Sequence, residues 1–218
     1  KDGINSIHIN GINYDNSIFK NVMNDIINNH IMLSHNASIE DISSWTDWIN
    51  SNPNLKGSIR MCLLTKIIDG LNGGNSSIDF TDYQHHFQSN LNTNFKCIYL
   101  EIPSKHLSFN NHSSEIALTG SYLNEIIEIH KKNNIEIPKK IILKSFLDNS
   151  FLENISKLKA IKSIINQVLK IHKIKANVII ETSVNPQILK DQSEYFRILS
   201  ITSTAMSSFI GGANSFVL

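Results

Sequence analysis

The sequence predicts an α/β fold built on a parallel sheet, and three observations support this prediction. The 218-residue chain alternates short apolar runs with longer amphipathic segments. Two of the apolar runs, IILKS (141–145) and NVIIE (177–181), are nearly continuous, as expected of parallel strands that are covered on both faces. Neighbouring strands lie about 35 residues apart, which leaves room for right-handed helical crossovers. An open doubly wound sheet and a closed (β/α)8 barrel both fit this pattern.

Seven strand-like runs alternate with helical patterns along the chain. The predicted strands span residues 6–10, 31–35, 58–62, 95–101, 140–145, 177–181 and 214–218. The predicted helices span residues 17–28, 39–51, 81–92, 114–133, 150–173 and 193–210, with a shorter piece at 64–71. This order gives one strand, one helix and the next strand throughout most of the chain.

The best-defined helix covers residues 150–173. Its apolar side chains recur every three to four residues and form one stripe: Phe151, Ile155, Leu158, Ile161, Ile165, Val168 and Leu169. Its charged and amide residues lie largely off that stripe: Lys157, Lys159, Lys162, Asn166 and Lys170. Ser150 and Glu153 have the spacing of a capping box, in which each side chain satisfies a backbone N–H at the start of the helix.

Two other helices carry recognisable stop signals. The helix at 114–133 ends on His130, Lys131 and Lys132, which complement the negative end of its dipole. Asn133 and Asn134 follow and favour a left-handed stop. The last helix runs into Gly211 and Gly212, and we expect Gly211 to end it in the left-handed conformation.

Composition narrows the class of protein. Apolar residues make up 41% of the chain and charged residues 18%, which is typical of a globular domain. The net charge of +1 argues against a nucleic-acid partner. No apolar run reaches the ~20 residues of a membrane span. Cys62 and Cys97 lie in apolar runs and are expected to be buried thiols, which favours a reducing, cytoplasmic location.

The end of the chain favours the barrel over the open sheet. An apolar strand after Gly211 and Gly212 would be an exposed edge in an open sheet, whereas in a barrel it would pair on both sides. Seven strands are one short of eight, and the chain begins at Lys1 without an initiator Met. We therefore predict a (β/α)8 TIM-type barrel that lacks its first strand. It would occupy residues 1–218 as a single domain, without a cobalamin-binding domain, within a longer protein.

Three stretches carry a family resemblance. They are FLENISKLKAIKSIINQVLKIHKIKANVIIETS (151–183), YFRILSITSTAMSSFIGGANSFVL (195–218) and HLSFNNHSSEIALTGSYLNEIIE (106–128). Together they resemble the barrel domain of the acyl-CoA mutases that use adenosylcobalamin, and most closely the small (beta) subunit of methylmalonyl-CoA mutase.

The resemblance implies a function for the chain. The small subunit of that family has no working active site and pairs as a heterodimer with a catalytic large subunit. The large subunit binds adenosylcobalamin and the CoA ester, and it interconverts (R)-methylmalonyl-CoA and succinyl-CoA. The cobalt-ligating signature D-x-H-x-x-G does not occur in the 218 residues. We therefore expect this chain to bind no cofactor or metal itself, and the partner subunit to carry adenosylcobalamin.

The candidate substrate-binding residues are His106, Thr182 and Ser183, which the barrel prediction places at the mouth of the barrel. The residues around them depart from the family pattern. Lys105 stands where catalytic members carry Tyr, bulky residues follow His106, and Val184 replaces the aromatic residue that follows Ser183 in the family. These departures predict a degraded pocket and no catalytic residue.

Two alternatives stay open at the level of sequence. In the first, the barrel is itself a competent acyl-CoA mutase, with His106 in the pocket as a proton donor or hydrogen-bond partner. In the second, the chain is an unrelated TIM-barrel enzyme with a phosphate site at the turn formed by Gly211 and Gly212.

Overall fold

The computed structural model describes residues 6–10, 32–36, 46–47, 49–52, 57–62, 64, 87, 95–102, 112–190 and 193–217. The chain divides into two compact units. The first unit comprises Lys1–Met61 and Asp79–Ile98, and the second comprises Cys62–Ile78 and Tyr99–Leu218. Predicted helices at 17–28, 64–71 and 81–92 fall wholly or largely outside the described residues.

The first unit contains a three-stranded parallel sheet. Its strands are β1 (Ser6–Asn10), β2 (Met32–Asn36) and β3 (Gly57–Arg60), hydrogen-bonded in that order. All four residues of β3 are buried. The backbone N–H of Ile59 donates to the carbonyl of Phe95 at 3.1 Å, so β3 is also bonded on the side away from β2.

The second unit contains a four-stranded sheet, apart from Ile98, the first residue of its first strand, which is assigned to the first unit. Its strands are β4 (Ile98–Glu101), β5 (Lys140–Leu147), β6 (Asn177–Val184) and β7 (Ser215–Val217), again in chain order. β5 and β6 pair in parallel over their whole length, from Lys140 opposite Asn177 to Leu147 opposite Val184. β7 pairs in parallel with β6 over three residues.

In the part of the chain from residue 112 to 217 that the structure describes, four helices accompany the second sheet. They are α1 (His112–Lys132), α2 (Phe151–Ile171), the single turn α3 (Pro186–Leu189) and α4 (Glu194–Gly211). α2 packs between α1 and α4. Leu158 of α2 is fully buried against Leu147 and Ile180, with Val178 and Ala213 at the edge of this cluster. Most of the apolar stripe predicted for α2 is buried, through Leu158, Ile161, Ile165, Val168 and Leu169, whereas Phe151 and Ile155 are only half-buried.

The predicted helix stops are confirmed, one of them with a shift. Asn134 takes a positive φ of 52° two residues after the end of α1, as its small polar side chain allows. At the end of α4 the left-handed residue is Gly212, with φ 93°, and Gly211 is still helical. The predicted position of this stop was therefore wrong by one residue.

The predicted capping box at the start of α2 is wrong. Ser150 occupies the N-cap position, but its side chain makes no capping hydrogen bond. Glu153 instead lies 3.5 Å from the imidazole of His112. Asn154, one residue further on, turns back to hydrogen-bond the main chain of Asp148, so a different side chain ties this helix end to the preceding strand.

The predicted (β/α)8 barrel is also wrong. The described strands form two hydrogen-bonded ladders of three and four strands, and among the described residues no ladder closes into an eight-stranded ring. The local pattern of buried parallel strands is the same in an open sheet and in a barrel, so it does not encode closure. Among the described strands β7 is also an edge, bonded to β6 alone, so the expected pairing of the last strand on both sides is not observed.

Candidate functional site

A cluster of polar side chains joins the carboxyl end of β4 to the middle of β5. We call it the Glu101 cluster; it consists of Tyr99, Glu101 and Lys144. The Tyr99 hydroxyl donates to Oε2 of Glu101 at 2.7 Å, and Nζ of Lys144 lies 3.3 Å from Oε1. In the next strand Glu181 stands opposite Lys144 in the ladder and is itself buried. An acidic, a basic and an acidic residue therefore stand on three consecutive strands.

Strand alternation explains why these side chains share one face. Side chains two residues apart in a strand point to the same side. Leu147 of β5 and Ile180 of β6 face α2, so Lys144, Phe146 and Glu181 stand on the opposite side of the sheet. The ammonium of Lys144 also lies 5.1 Å from the centre of the Phe146 ring, a favourable cation–π distance.

The main chain at Glu101 is held by a thiol. The Glu101 N–H points at Sγ of Cys62 at 3.4 Å, and the Cys62 thiol lies 3.5 Å from the Glu101 carbonyl. Cys62 and Cys97 are both free thiols; Cys97 is buried and Cys62 half-buried. The predicted burial is therefore correct for Cys97 and only partly so for Cys62.

The chemistry open to the Glu101 cluster is limited by its internal bonding. The side chains of Lys144 and Glu101 are 19% and 20% exposed, so water reaches both only in part. Each charge is met by the other, and the second carboxylate oxygen is occupied by Tyr99. A substrate that used any of these groups would first have to displace its present partner, at the cost of a charge-assisted hydrogen bond.

Thr182, predicted to bind substrate, is enclosed by other residues of the protein. It is fully buried, its hydroxyl lies 2.5 Å from that of Ser208 in α4, and it donates to the Ser215 carbonyl at 3.2 Å. It thus joins β6 to α4 and to β7. Ser183 is half-buried and, by strand alternation, stands on the opposite face of β6, with Glu181. His106 lies outside the described residues.

Sequence reasoning did not single out Tyr99 or Lys144. The sequence did contain a feature that predicts a partner for Lys144. This lysine interrupts an otherwise apolar run that was expected to be covered on both faces. Lysine is rarely placed in such surroundings without a partner. The acidic residues on the two neighbouring strands that could pair with Lys144 are Glu101 and Glu181.

The turn at Gly211 and Gly212 does not have the character of a phosphate site. A Cβ on Gly211 would lie 2.7 Å from Cδ1 of Leu158, so the glycine is required by helix packing. The turn follows the carboxyl end of α4, where the helix dipole favours cations over anions. A lysine does approach it: Nζ of Lys162 lies 3.9 Å from the position that a Cβ on Gly212 would take.

Within the described ranges, no three His, Cys, Asp or Glu side chains converge in a way that could hold a metal ion. Among the described helices, none combines the length and the apolar character that crossing a bilayer demands.

α4 has an unusual distribution of side chains. Its large apolar residues face solvent: Tyr195, Phe196, Ile198, Leu199, Met206, Phe209 and Ile210. Its buried residues are small or polar: Thr204, Ser207, Ser208 and Gly211. This is the inverse of an ordinary amphipathic helix. We call the exposed group the α4 apolar face; contiguous exposed apolar surface of this kind marks interaction sites in soluble proteins.

In comparisons with known proteins, no family model and no curated protein matches the chain.

Proposed function

We propose that this chain is a non-catalytic subunit of a methylmalonyl-CoA mutase heterodimer that acts in the cytoplasm. In this proposal the catalytic partner subunit carries adenosylcobalamin, binds the CoA ester and interconverts (R)-methylmalonyl-CoA and succinyl-CoA. The role of this chain is to stabilise that partner. The observation that carries the proposal is the bonding of polar groups near the carboxyl ends of the strands, where parallel sheets usually hold their ligands.

The bonding of these groups favours a structural role. Glu101 accepts hydrogen bonds from Tyr99 and Lys144, and Thr182 is fully enclosed by α4 and β7. A group that serves as an acid, a base or an oxyanion donor must be able to reach the reacting atom. Thr182 has no route to one, and the charges of Lys144 and Glu101 are already neutralised.

The identity of the partner rests on the resemblance described above. Its first stretch contains α2 and β6, and its second contains α4, the glycine turn and β7. These elements occur in the order that the resemblance implies. The absence of a D-x-H-x-x-G signature from the sequence is consistent with a cofactor held entirely by the other subunit.

Co-expression with the catalytic subunit of an adenosylcobalamin-dependent acyl-CoA mutase tests the proposal. We expect a stable one-to-one complex on size exclusion and a higher melting temperature of the catalytic subunit in that complex. Titration of methylmalonyl-CoA into this chain alone should give no saturable heat. Failure to form the complex, or turnover of methylmalonyl-CoA by this chain alone, would refute the proposal.

A double variant sharpens this test. Glu101→Gln with Lys144→Met removes both charges of the Glu101 cluster while keeping similar side-chain volumes. If the cluster is structural, the complex should keep the turnover number and Michaelis constant of the parent. A tenfold or greater loss of turnover with an intact complex would instead place chemistry at this cluster.

A further inference from the structure

The α4 apolar face is large for the surface of a folded unit. Tyr195 is 69% exposed, and Met206 and Phe209 are 55% and 57% exposed. At roughly 100 Å² of exposed surface each, its seven side chains present about 700 Å², close to the ~800 Å² that each partner contributes to a standard stable interface. Its size alone therefore suits a protein partner.

The spacing along this face identifies the kind of element that fits it. The exposed residues Tyr195, Leu199, Thr202, Met206 and Phe209 follow one another at intervals of four, three, four and three. This is the seven-residue repeat by which one helix packs lengthwise against another. Thr202, the polar member, donates its hydroxyl to the Ile198 carbonyl at 2.8 Å, so its burial would leave no unpaired donor.

The scarcity of charged residues on α4 argues against a membrane surface and against a strongly charged protein as the partner. No Asp, Glu, Lys or Arg occurs between residues 198 and 217. A membrane-surface helix normally carries Lys and Arg beside its apolar face, and α4 has only Arg197. The face also offers no charges with which to select an oppositely charged protein.

The order of side chains along the repeat is nearly the same in both directions. Thr202 is central, aliphatic Leu199 and Met206 flank it, and aromatic Tyr195 and Phe209 stand at the ends, seven residues away on either side. An antiparallel copy of the same helix would therefore set aromatic against aromatic and Leu199 against Met206. The smallest residue would lie where the two helices come closest.

We propose that α4 packs antiparallel against α4 of a second copy of this chain, across a twofold axis that passes near Thr202. Such an interface is isologous, since each surface meets its own equivalent. It closes the α4 apolar face in a dimer and requires no other protein, so it stands apart from the heterodimer proposed above.

Sedimentation velocity of the chain alone, from 1 to 100 μM, measures this dimer directly. We expect a species of twice the 24.6 kDa monomer mass that dissociates on dilution. Met206→Glu places a charge in the seam and should shift the chain to monomer across this range. Leu152→Glu is the matched control, because Leu152 is 74% exposed on α2 and lies outside the α4 apolar face. Circular dichroism establishes that each variant is folded.

Cysteine cross-linking tests the orientation. Thr202→Cys should form a disulfide-linked dimer with itself on mild oxidation. Tyr195→Cys should cross-link only when mixed with Phe209→Cys, because an antiparallel pair sets these positions opposite each other. The parent chain, with Cys97 buried and Cys62 half-buried, gives the background.

Several results would overturn the proposal. A monomer at 100 μM would do so, as would a dimer unaffected by Met206→Glu. Self-linkage of Tyr195→Cys would show a parallel arrangement. A monomer whose complex with the mutase catalytic subunit is lost in Met206→Glu would assign the face to that subunit. Flotation of the parent chain, but not of Met206→Glu, with phosphatidylcholine vesicles would assign it to membrane.

Discussion

Gly211 illustrates how a single residue sets the distance between two helices. A Cβ at this position would lie 2.7 Å from Cδ1 and 3.0 Å from Cβ of Leu158, which is fully buried and cannot move away. We predict that Gly211→Ala lowers the free energy of unfolding by about 1–3 kcal/mol, as overpacking does elsewhere. Urea denaturation followed by circular dichroism measures this.

Gly120→Ala is the matched control for that substitution. Its new Cβ would meet Cδ1 of Ile164 at 3.2 Å, which is the movable end of a half-buried side chain, and alanine favours the helix. We expect the loss at Gly120 to be clearly smaller than at Gly211. Equal losses at the two positions would show that the contact with Leu158 is not what excludes a side chain.

His130 predicts a pH dependence of stability. The side chain is fully buried at the end of α1, with Nδ1 3.3 Å from the Glu136 carbonyl. Burial lowers the pKa of this imidazole below 6.5, although hydrogen bonds with the backbone at Glu136 and Ile135 oppose the shift. The folded state therefore binds its proton at lower pH than the unfolded state does.

The sign of the effect follows from this difference. Above pH 6.5 both states are largely neutral at His130, whereas below it the unfolded state gains a proton first and stability falls. The loss levels off below the native pKa. We predict that His130→Gln shows a weaker fall in its urea midpoint than the parent between pH 7 and pH 5. If the urea midpoints of the parent and of His130→Gln fell equally between pH 7 and pH 5, His130 would not be the source of the pH dependence.

Among contacts between elements, one asparagine joins α2 to α4 and to Asp148, the residue that follows β5. Asn154 is fully buried; its amide donates to the Asp148 carbonyl at 2.7 Å and to the Ser207 hydroxyl at 3.2 Å. Its carbonyl accepts from the Asp148 N–H at 3.2 Å. Asn154→Ala leaves these three partners without it, and we predict a loss of about 2–4 kcal/mol in the free energy of unfolding.

The neighbouring Lys159 offers a control for Asn154. It lies on the exposed side of the same helix, so Lys159→Ala should change stability by less than ~0.5 kcal/mol. Thermal and urea unfolding of both variants measure the contrast. A cost at Asn154 no greater than that at Lys159 would mean that the three hydrogen bonds add nothing net to stability.

Periodicity predicted the bounds of the helices in the second unit better than it predicted which of their polar side chains are buried. α1 and α2 begin and end within two residues of the predicted bounds, because an apolar repeat of 3.6 is a property of the local sequence. Lys157 shows the limit of such reasoning. It was expected off the buried stripe, yet it is buried, pairs with Glu115 of α1 and donates to the Phe146 carbonyl at 2.7 Å. Only tertiary structure supplies these partners.

For the strands, too, the existence of the element was predicted but its exact end was not. β5 and β6 were predicted, but each runs past its predicted end, to Leu147 and Val184. These extra residues continue because the two strands pair with each other along their whole length. The Glu101 cluster was not predicted, because Tyr99 and Lys144 are far apart in sequence and come together only through the pairing of strands.

At the scale of the whole molecule, the prediction of parallel strands held and the prediction of their closure did not. Strand direction follows from chain order and crossover length, which the sequence displays. Closure depends on strand tilt and on the stagger of hydrogen bonds around the ring, and neither can be predicted from the sequence of a single strand.

The proposed dimer has a thermodynamic consequence for the whole molecule. If only the folded chain dimerises, raising the protein concentration draws the folding equilibrium toward the native state. For a chain of this size the melting temperature should rise by roughly 3–5 °C between 1 and 100 μM. Differential scanning fluorimetry over this range measures the rise. Met206→Glu should melt at a temperature independent of concentration, whereas Leu152→Glu should follow the parent. A parent melting temperature that stays constant, or that falls with concentration because the chains aggregate, would contradict an interface formed by folded α4 helices.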